Sequence, residues 1–126
     1  MKARYAIVFM LAGGVMGAAA VQGIHAQTKA PVYFIFENEL TNKEAYTEEY
    51  VPEAVATIKA HGGRLLAIGK TTTFSGDPPE DSTGILVWDS MEQLEGWFSS
   101  PEYKKIRAVG EKYAKYRNFA VPGAAQ

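Results

Sequence analysis

Beyond its first 26 residues the chain has one histidine, His61, followed by Gly62-Gly63 and Arg64. An imidazole changes charge near neutral pH, so His61 is the residue type for a general base. A guanidinium directly after the glycines can hold a carboxylate or enolate oxygen in a forked hydrogen bond. Each has a plainer role. His61 suits the C-terminal end of a helix dipole, and Arg64 can open a strand beside a surface acid. Tyr46 and Tyr50 lie one helical turn apart, so both rings share a face and can present hydroxyls to a pocket or simply pack in a core. Trp97, Phe98 and Tyr103 cluster around Ser99-Ser100-Pro101. They can wall an apolar ligand site, or serve as core or interface aromatics. Asp89 precedes Ser90 at a helix start, where such residues cap.

Other chemistries are excluded. The sequence has no cysteine, so disulfides, thiol catalysis and thiolate metal sites are absent. With His61 alone, a transition-metal site is not expected. Asp77, Glu80 and Asp81 surround Pro78-Pro79 without the spacing of a calcium loop, and read as a solvated turn. Neither a Gly-rich phosphate loop nor a Gly-x-Ser-x-Gly elbow occurs, and no cofactor is expected.

The elements that would position these residues begin after a stretch of different character. Lys2 and Arg4 precede an apolar run, Tyr5 to Val21, with no acid before Glu37 and a small residue at Ala26. This predicts a secretory signal peptide, residues 1–26, and an exported periplasmic or secreted chain from Gln27 without stable membrane insertion. The rival reading, a retained anchor, is disfavoured by the run's length of about 17 residues and by Gly13, Gly14 and Gly17. Residues 27–126 then form a single domain. The leader holds two of the 13 basic and none of the 14 acidic residues, leaving eleven against fourteen, a net −3. That mild charge, with no basic face interleaved with aromatics, argues against nucleic acid as a partner.

Val32 to Glu37 is a β-branched and aromatic run covered on both faces, bounded by Asn38. Thr41-x-x-Glu44 predicts a helix from about Asn42. Tyr46, Tyr50, Val51, Ala54, Val55 and Ile58 follow at helical spacing, and Pro52 should kink or restart the helix. Gly62 ends it. Arg64 to Phe74 reads as a long strand with a bulge at Gly69, and residues 75–83 as a loop. Gly84 to Trp88 is a buried strand. Ser90-x-x-Gln93 caps a second helix, Ser100-Pro101 starts a third segment at once, and Tyr116 to Val121 is a final strand.

The order β-α-β-β-α-β with right-handed crossovers gives a ferredoxin-like α+β fold: a four-stranded antiparallel sheet with the helices on one face. Val32, Phe34 and Phe36 point one way and Tyr33 and Ile35 the other, so an apolar face remains bare. A homodimer packed through that sheet face is expected.

Residues 31–122 resemble the bacterial family called domain of unknown function 1330, within the dimeric α+β barrel superfamily. The resemblance rests on Tyr46 and Tyr50, on His61-Gly62-Gly63-Arg64-Leu65-Leu66, and on Asp89-Ser90-Met91-Glu92 through Trp97-Phe98-Ser99-Ser100-Pro101-Glu102-Tyr103. It implies the barrel and the dimer, and no reaction. Family members often carry an Arg followed by two glycines in the second strand and another Arg opening the third. Here Ile68-Gly69-Lys70 and Ser82-Thr83 stand instead.

Three functions fit these residues. One is an exported domain that binds a small apolar or aromatic molecule, with Tyr46, Tyr50, Trp97 and Tyr103 around the ligand. The second is a cofactor-independent enzyme moving a proton on, or oxygenating, an enolisable or aromatic substrate, with His61 as base and Arg64 or a tyrosine as oxyanion partner. The third is a structural or assembly dimer. A pocket onto which His61 and Arg64 converge would separate the second from the first.

Overall fold

A computed structural model describes residues 30–124. The expected signal peptide lies outside the described residues. Strand β1, Val32–Leu40, leads into a short helix α1, Lys43–Ala45, a π-helical turn, Tyr46–Tyr50, and helix α2, Val51–Ala60. Strands β2, Arg64–Gly69, and β3, Ser82–Trp88, follow, then helices α3, Met91–Phe98, and α4, Pro101–Gly110, and strand β4, Ala114–Pro122. The strands form one antiparallel sheet in the order β2-β3-β1-β4, within a compact unit spanning Pro31–Gly123. The α+β ferredoxin-like arrangement is therefore the observed one. No described helix is long and apolar enough to cross a membrane.

Local chemistry accounts for most boundaries. Asn42 caps the first helix: its side chain accepts from the Ala45 N–H at 3.1 Å. The cap is thus one residue later than the Thr41 box suggested, because Asn42 itself adopts the non-helical backbone a cap requires. Pro52 cannot donate to a carbonyl one turn back. The chain accommodates this with the π-helical turn, whose exit Val51 N–H bonds the Tyr46 carbonyl, and α2 restarts with Pro52 in its first turn. At the end of α2, Gly62 takes φ 90°, and Gly62 and Gly63 N–H groups bond the Lys59 and Ile58 carbonyls. Ser90 accepts from the Gln93 N–H, and Ser100 from the Tyr103 N–H at 3.1 Å with Pro101 next in the chain.

Strand β2 is shorter than its composition suggests. Pairing with β3 ends at Gly69 opposite Thr83, so Thr71 to Phe74 have no strand to join and lie in the loop 70–81. The bulge falls between Leu65 and Ala67 rather than at Gly69. Strand β1 runs on past Asn38 to Leu40, held there by pairing with β4 and by the Asp81 carboxylate, which accepts from the Leu40 N–H at 2.7 Å.

Register divides the sheet. Val32, Phe34, Phe36, Asn38 and Leu40 of β1 share the helix-covered face with Gly84, Leu86 and Trp88 of β3 and with Tyr116, Asn118 and Ala120 of β4. Trp97 anchors the helices to that face. Its ring meets Phe34 edge-on at 5.6 Å and Trp88 at 5.0 Å, and its indole N–H donates to Thr57 Oγ1 of α2 at 3.1 Å. The other face carries Tyr33, Ile35, Ile85, Val87, Phe119 and Val121.

Gly84 has no room for a side chain, because a Cβ there would run into the Phe36 ring. Gly84→Val should therefore destabilise the domain by about 1–3 kcal/mol in urea unfolding, despite valine's better strand propensity. Unchanged stability would mean that the Phe36 ring swings aside at no cost.

Candidate functional site

Between the π-helical turn, α2 and the sheet lies a cavity of about 590 Å³, within the usual range for small-molecule sites. Phe34, Phe36 and Leu86 form its floor, Val51, Ala54, Val55 and Ile58 its helical wall, and Trp97 and Tyr103 its far side. Leu65 and Ile68 of β2 border it and are half exposed, because no helix covers that edge strand.

The tyrosines form one cluster. Tyr46 and Tyr50 stack with centroids 4.8 Å apart, as expected for residues one turn apart on a helical face. The Tyr50 and Tyr103 hydroxyls are hydrogen-bonded at 2.6 Å, and Tyr116 lies beside Tyr46 and Tyr50 at 6.4 and 6.1 Å. Asn38 Nδ2 donates to the Tyr46 hydroxyl at 3.2 Å. Gly110 of α4 makes the space, since a Cβ there would strike the Tyr116 hydroxyl and the Tyr50 ring. All four tyrosines line the cavity. Burial is the main force on their phenols, pushing those of Tyr46, Tyr50, Tyr103 and Tyr116 above the ordinary value of 10.0, with added repulsion between neighbouring phenolates for Tyr50. At neutral pH they are uncharged phenols, able to donate or accept hydrogen bonds and unsuited to remove a proton.

Of the residues singled out from the sequence, Tyr46, Tyr50, Trp97 and Tyr103 meet around this cavity. Arg64 also borders it, yet its register opposite Val87 assigns its Cβ to the open face. His61 is not among the lining residues. It caps α2, and its carbonyl accepts from Gln93 Nε2 at 2.9 Å, tying the end of α2 to the start of α3. His61 and Arg64 therefore do not converge in the cavity, and among the described residues the lining contains no His, Asp or Glu. Asn38, Tyr116 and Asn118 are lining residues that the motif reading passed over. A period-two reading flags them, since each is polar at a core-facing position of its strand. Lys43 and Lys59 are the cavity's helical cations, and neither has an ion-pair partner within 4 Å among the described residues.

Tyr50→Phe should cost about 1–2 kcal/mol, because it strands the buried Tyr103 hydroxyl that Tyr50 now satisfies. Chemical unfolding with an unchanged m-value would register it, and a neutral result would show that Tyr103 finds another partner.

The model of the family described as "Domain of unknown function (DUF1330)" matches residues 31–124, which include the helix, the sheet and every cavity residue named above. The chain belongs to the DUF1330 family. No curated protein matches this sequence. Among solved structures, this DUF1330 domain is similar to RPA0582, a protein of unknown function from Rhodopseudomonas palustris, with 15% identity and a TM-score of 0.65 over 76% of this chain and 84% of that one. It is also similar to SnoaB, a cofactor-independent oxygenase from Streptomyces nogalater, with 13% identity and a TM-score of 0.58 over 77% of this chain and 95% of that one. A third is a nipsnap family protein of unknown function from Agrobacterium tumefaciens, at 19% identity and a TM-score of 0.52, covering 76% and 90% of the two chains. At these identities the likeness establishes the fold.

Proposed function

We propose that this DUF1330 domain binds a small, largely aromatic molecule in the cavity between its first helical segment and its sheet. The observation that carries this reading is an apolar, aromatic-rich space of about 590 Å³ with a few polar groups on its wall, the composition typical of ligand sites. Binding is favoured over base-catalysed chemistry because the lining has no carboxylate or imidazole among the described residues and its tyrosines are held as neutral phenols. The likeness to the cofactor-independent oxygenase SnoaB supports a second reading, in which the same hydroxyls donate to an oxyanion of a substrate acidic enough to lose its own proton. The test is calorimetric titration with the amphipathic aromatic dye anilinonaphthalene sulfonate. The parent chain should bind it saturably, and Val55→Phe, which narrows the cavity at a partly exposed wall position, should weaken binding several-fold. Equal binding by both would place the dye elsewhere and remove the cavity from consideration.

The reading includes export and self-association. A leader cleaved after Ala26 would release a chain beginning at Gln27, and N-terminal sequencing from the host distinguishes this from a retained Met1 end. A second copy packed on the open face, at the exposed Phe119 and Val121 and the partly exposed Tyr33, Ile35 and Ile85, would cover apolar surface that the helices do not. Light scattering at micromolar concentration should give twice the mass of one chain, and a clean monomer would refute a stable dimer.

A further inference from the structure

Granting that the cavity is a small-molecule site, its polar end states what kind of molecule it takes. Asn38 and Tyr116 are opposite one another on β1 and β4, and Asn118 lies two residues along from Tyr116 on the same face. All three line the cavity, and Asn38 is only 3% exposed. Asn38 Nδ2 is committed to the Tyr46 hydroxyl, which turns its Oδ1 away from that contact. The Oδ1 atoms of Asn38 and Asn118 and the hydroxyl of Tyr116 are each buried without a hydrogen-bond partner among the described residues. Buried polar atoms in folded proteins are nearly always paired, so three unpaired ones on one cavity wall are groups that a bound molecule could satisfy.

Their chemistry is selective. Two are amide oxygens, which only accept, and the third is a hydroxyl, which donates or accepts. A ligand carboxylate would meet two acceptors with an acceptor of its own. An ether could use only the Tyr116 hydroxyl. A phenolic hydroxyl donates to an amide oxygen and accepts from Tyr116 at once. The rest of the wall presents the faces and edges of Phe34, Phe36, Tyr46 and Trp97 to a flat ring. The geometry points to a neutral hydroxylated aromatic, a phenol-class ligand, bound hydroxyl-first against Asn38, Asn118 and Tyr116.

The test compares three probes with one ring system, naphthol, methoxynaphthalene and naphthoate, by calorimetric titration of the full chain. Naphthol should bind roughly tenfold or more tighter than either of the others, the factor expected when a buried pair of hydrogen bonds is made or lost. Tyr116→Phe, which keeps the ring, and Asn118→Leu, which keeps the volume, should each shrink that preference. Circular dichroism of both variants checks that the fold is retained. Equal affinity for naphthol and methoxynaphthalene overturns the hydroxyl assignment while leaving the cavity as a binding site. An undiminished naphthol preference in both variants overturns the assignment to these atoms. Absence of saturable binding by all three probes overturns the cavity reading itself and this inference with it.

Discussion

Trp97→Ala is expected to destabilise the domain by about 3–5 kcal/mol, a large share of what a domain of this size holds in reserve. The side chain is 2% exposed and stands where the sheet, α2 and α4 meet. It touches Phe34 from the sheet at 5.6 Å, Trp88 at 5.0 Å and Tyr103 of α4 at 4.1 Å. Its N–H is satisfied by Thr57 of α2, whose own hydroxyl donates to the Ala54 carbonyl at 2.8 Å. Truncation therefore loses the transfer energy of a large ring, leaves a hole beside an existing cavity and removes the one indole bond joining α2 to α3. Because the hole would open into the cavity, water can enter it, and the cost should fall toward the lower end of that range. Thermal and urea unfolding of the variant measure the effect. A loss below about 1 kcal/mol would show that α3 and α4 are held to the sheet by other contacts.

What the sequence displayed of this structure depended on how local the cause was. The Ser100-Pro101 joint and the Gly62-Gly63 reversal were legible because each is settled by the residue's own backbone and a neighbour a few positions away. The end of β2 was not. Thr71 to Phe74 have strand-forming composition, but β3 begins only at Ser82, so pairing is exhausted at Gly69. Tertiary supply of a partner overrode propensity. At the site, Tyr46, Tyr50, Trp97 and Tyr103 were legible as an aromatic group on capped helices. Asn38 was not, since an Asn after an apolar run looks like a strand terminator. It stays in the strand because β4 pairs with it and because Tyr46 takes a hydrogen bond from its amide. His61 drew attention as the lone imidazole of residues 27–126, yet the same glycines that made it conspicuous place it at a helix cap, outside the cavity lining.

Alkaline solution should unfold this domain sharply. The phenols of Tyr46, Tyr50, Tyr103 and Tyr116 are raised in the fold, chiefly by burial, above the value of 10.0 they resume when the chain is unfolded. A folded-state value above the unfolded one means the folded protein holds its protons more tightly. Stability from these groups is therefore complete below pH 10 and is lost as the pH climbs, because only the unfolded chain gains by ionising. Each tyrosine that stays protonated in the fold contributes a loss of about 1.4 kcal/mol per pH unit. Acting together, these losses should carry a domain of ordinary stability, about 5–15 kcal/mol, into unfolding in the alkaline range above pH 10. Phenolate absorbance from the cluster should then rise in step with loss of circular dichroism, in one cooperative transition. Tyr50→Phe removes one of these protons, so although it lowers stability at neutral pH, its stability should decline less steeply above pH 10 than the parent's. Titration of every tyrosine in an intact fold would refute the burial of the cluster. An identical alkaline slope in Tyr50→Phe would remove Tyr50 from its cause.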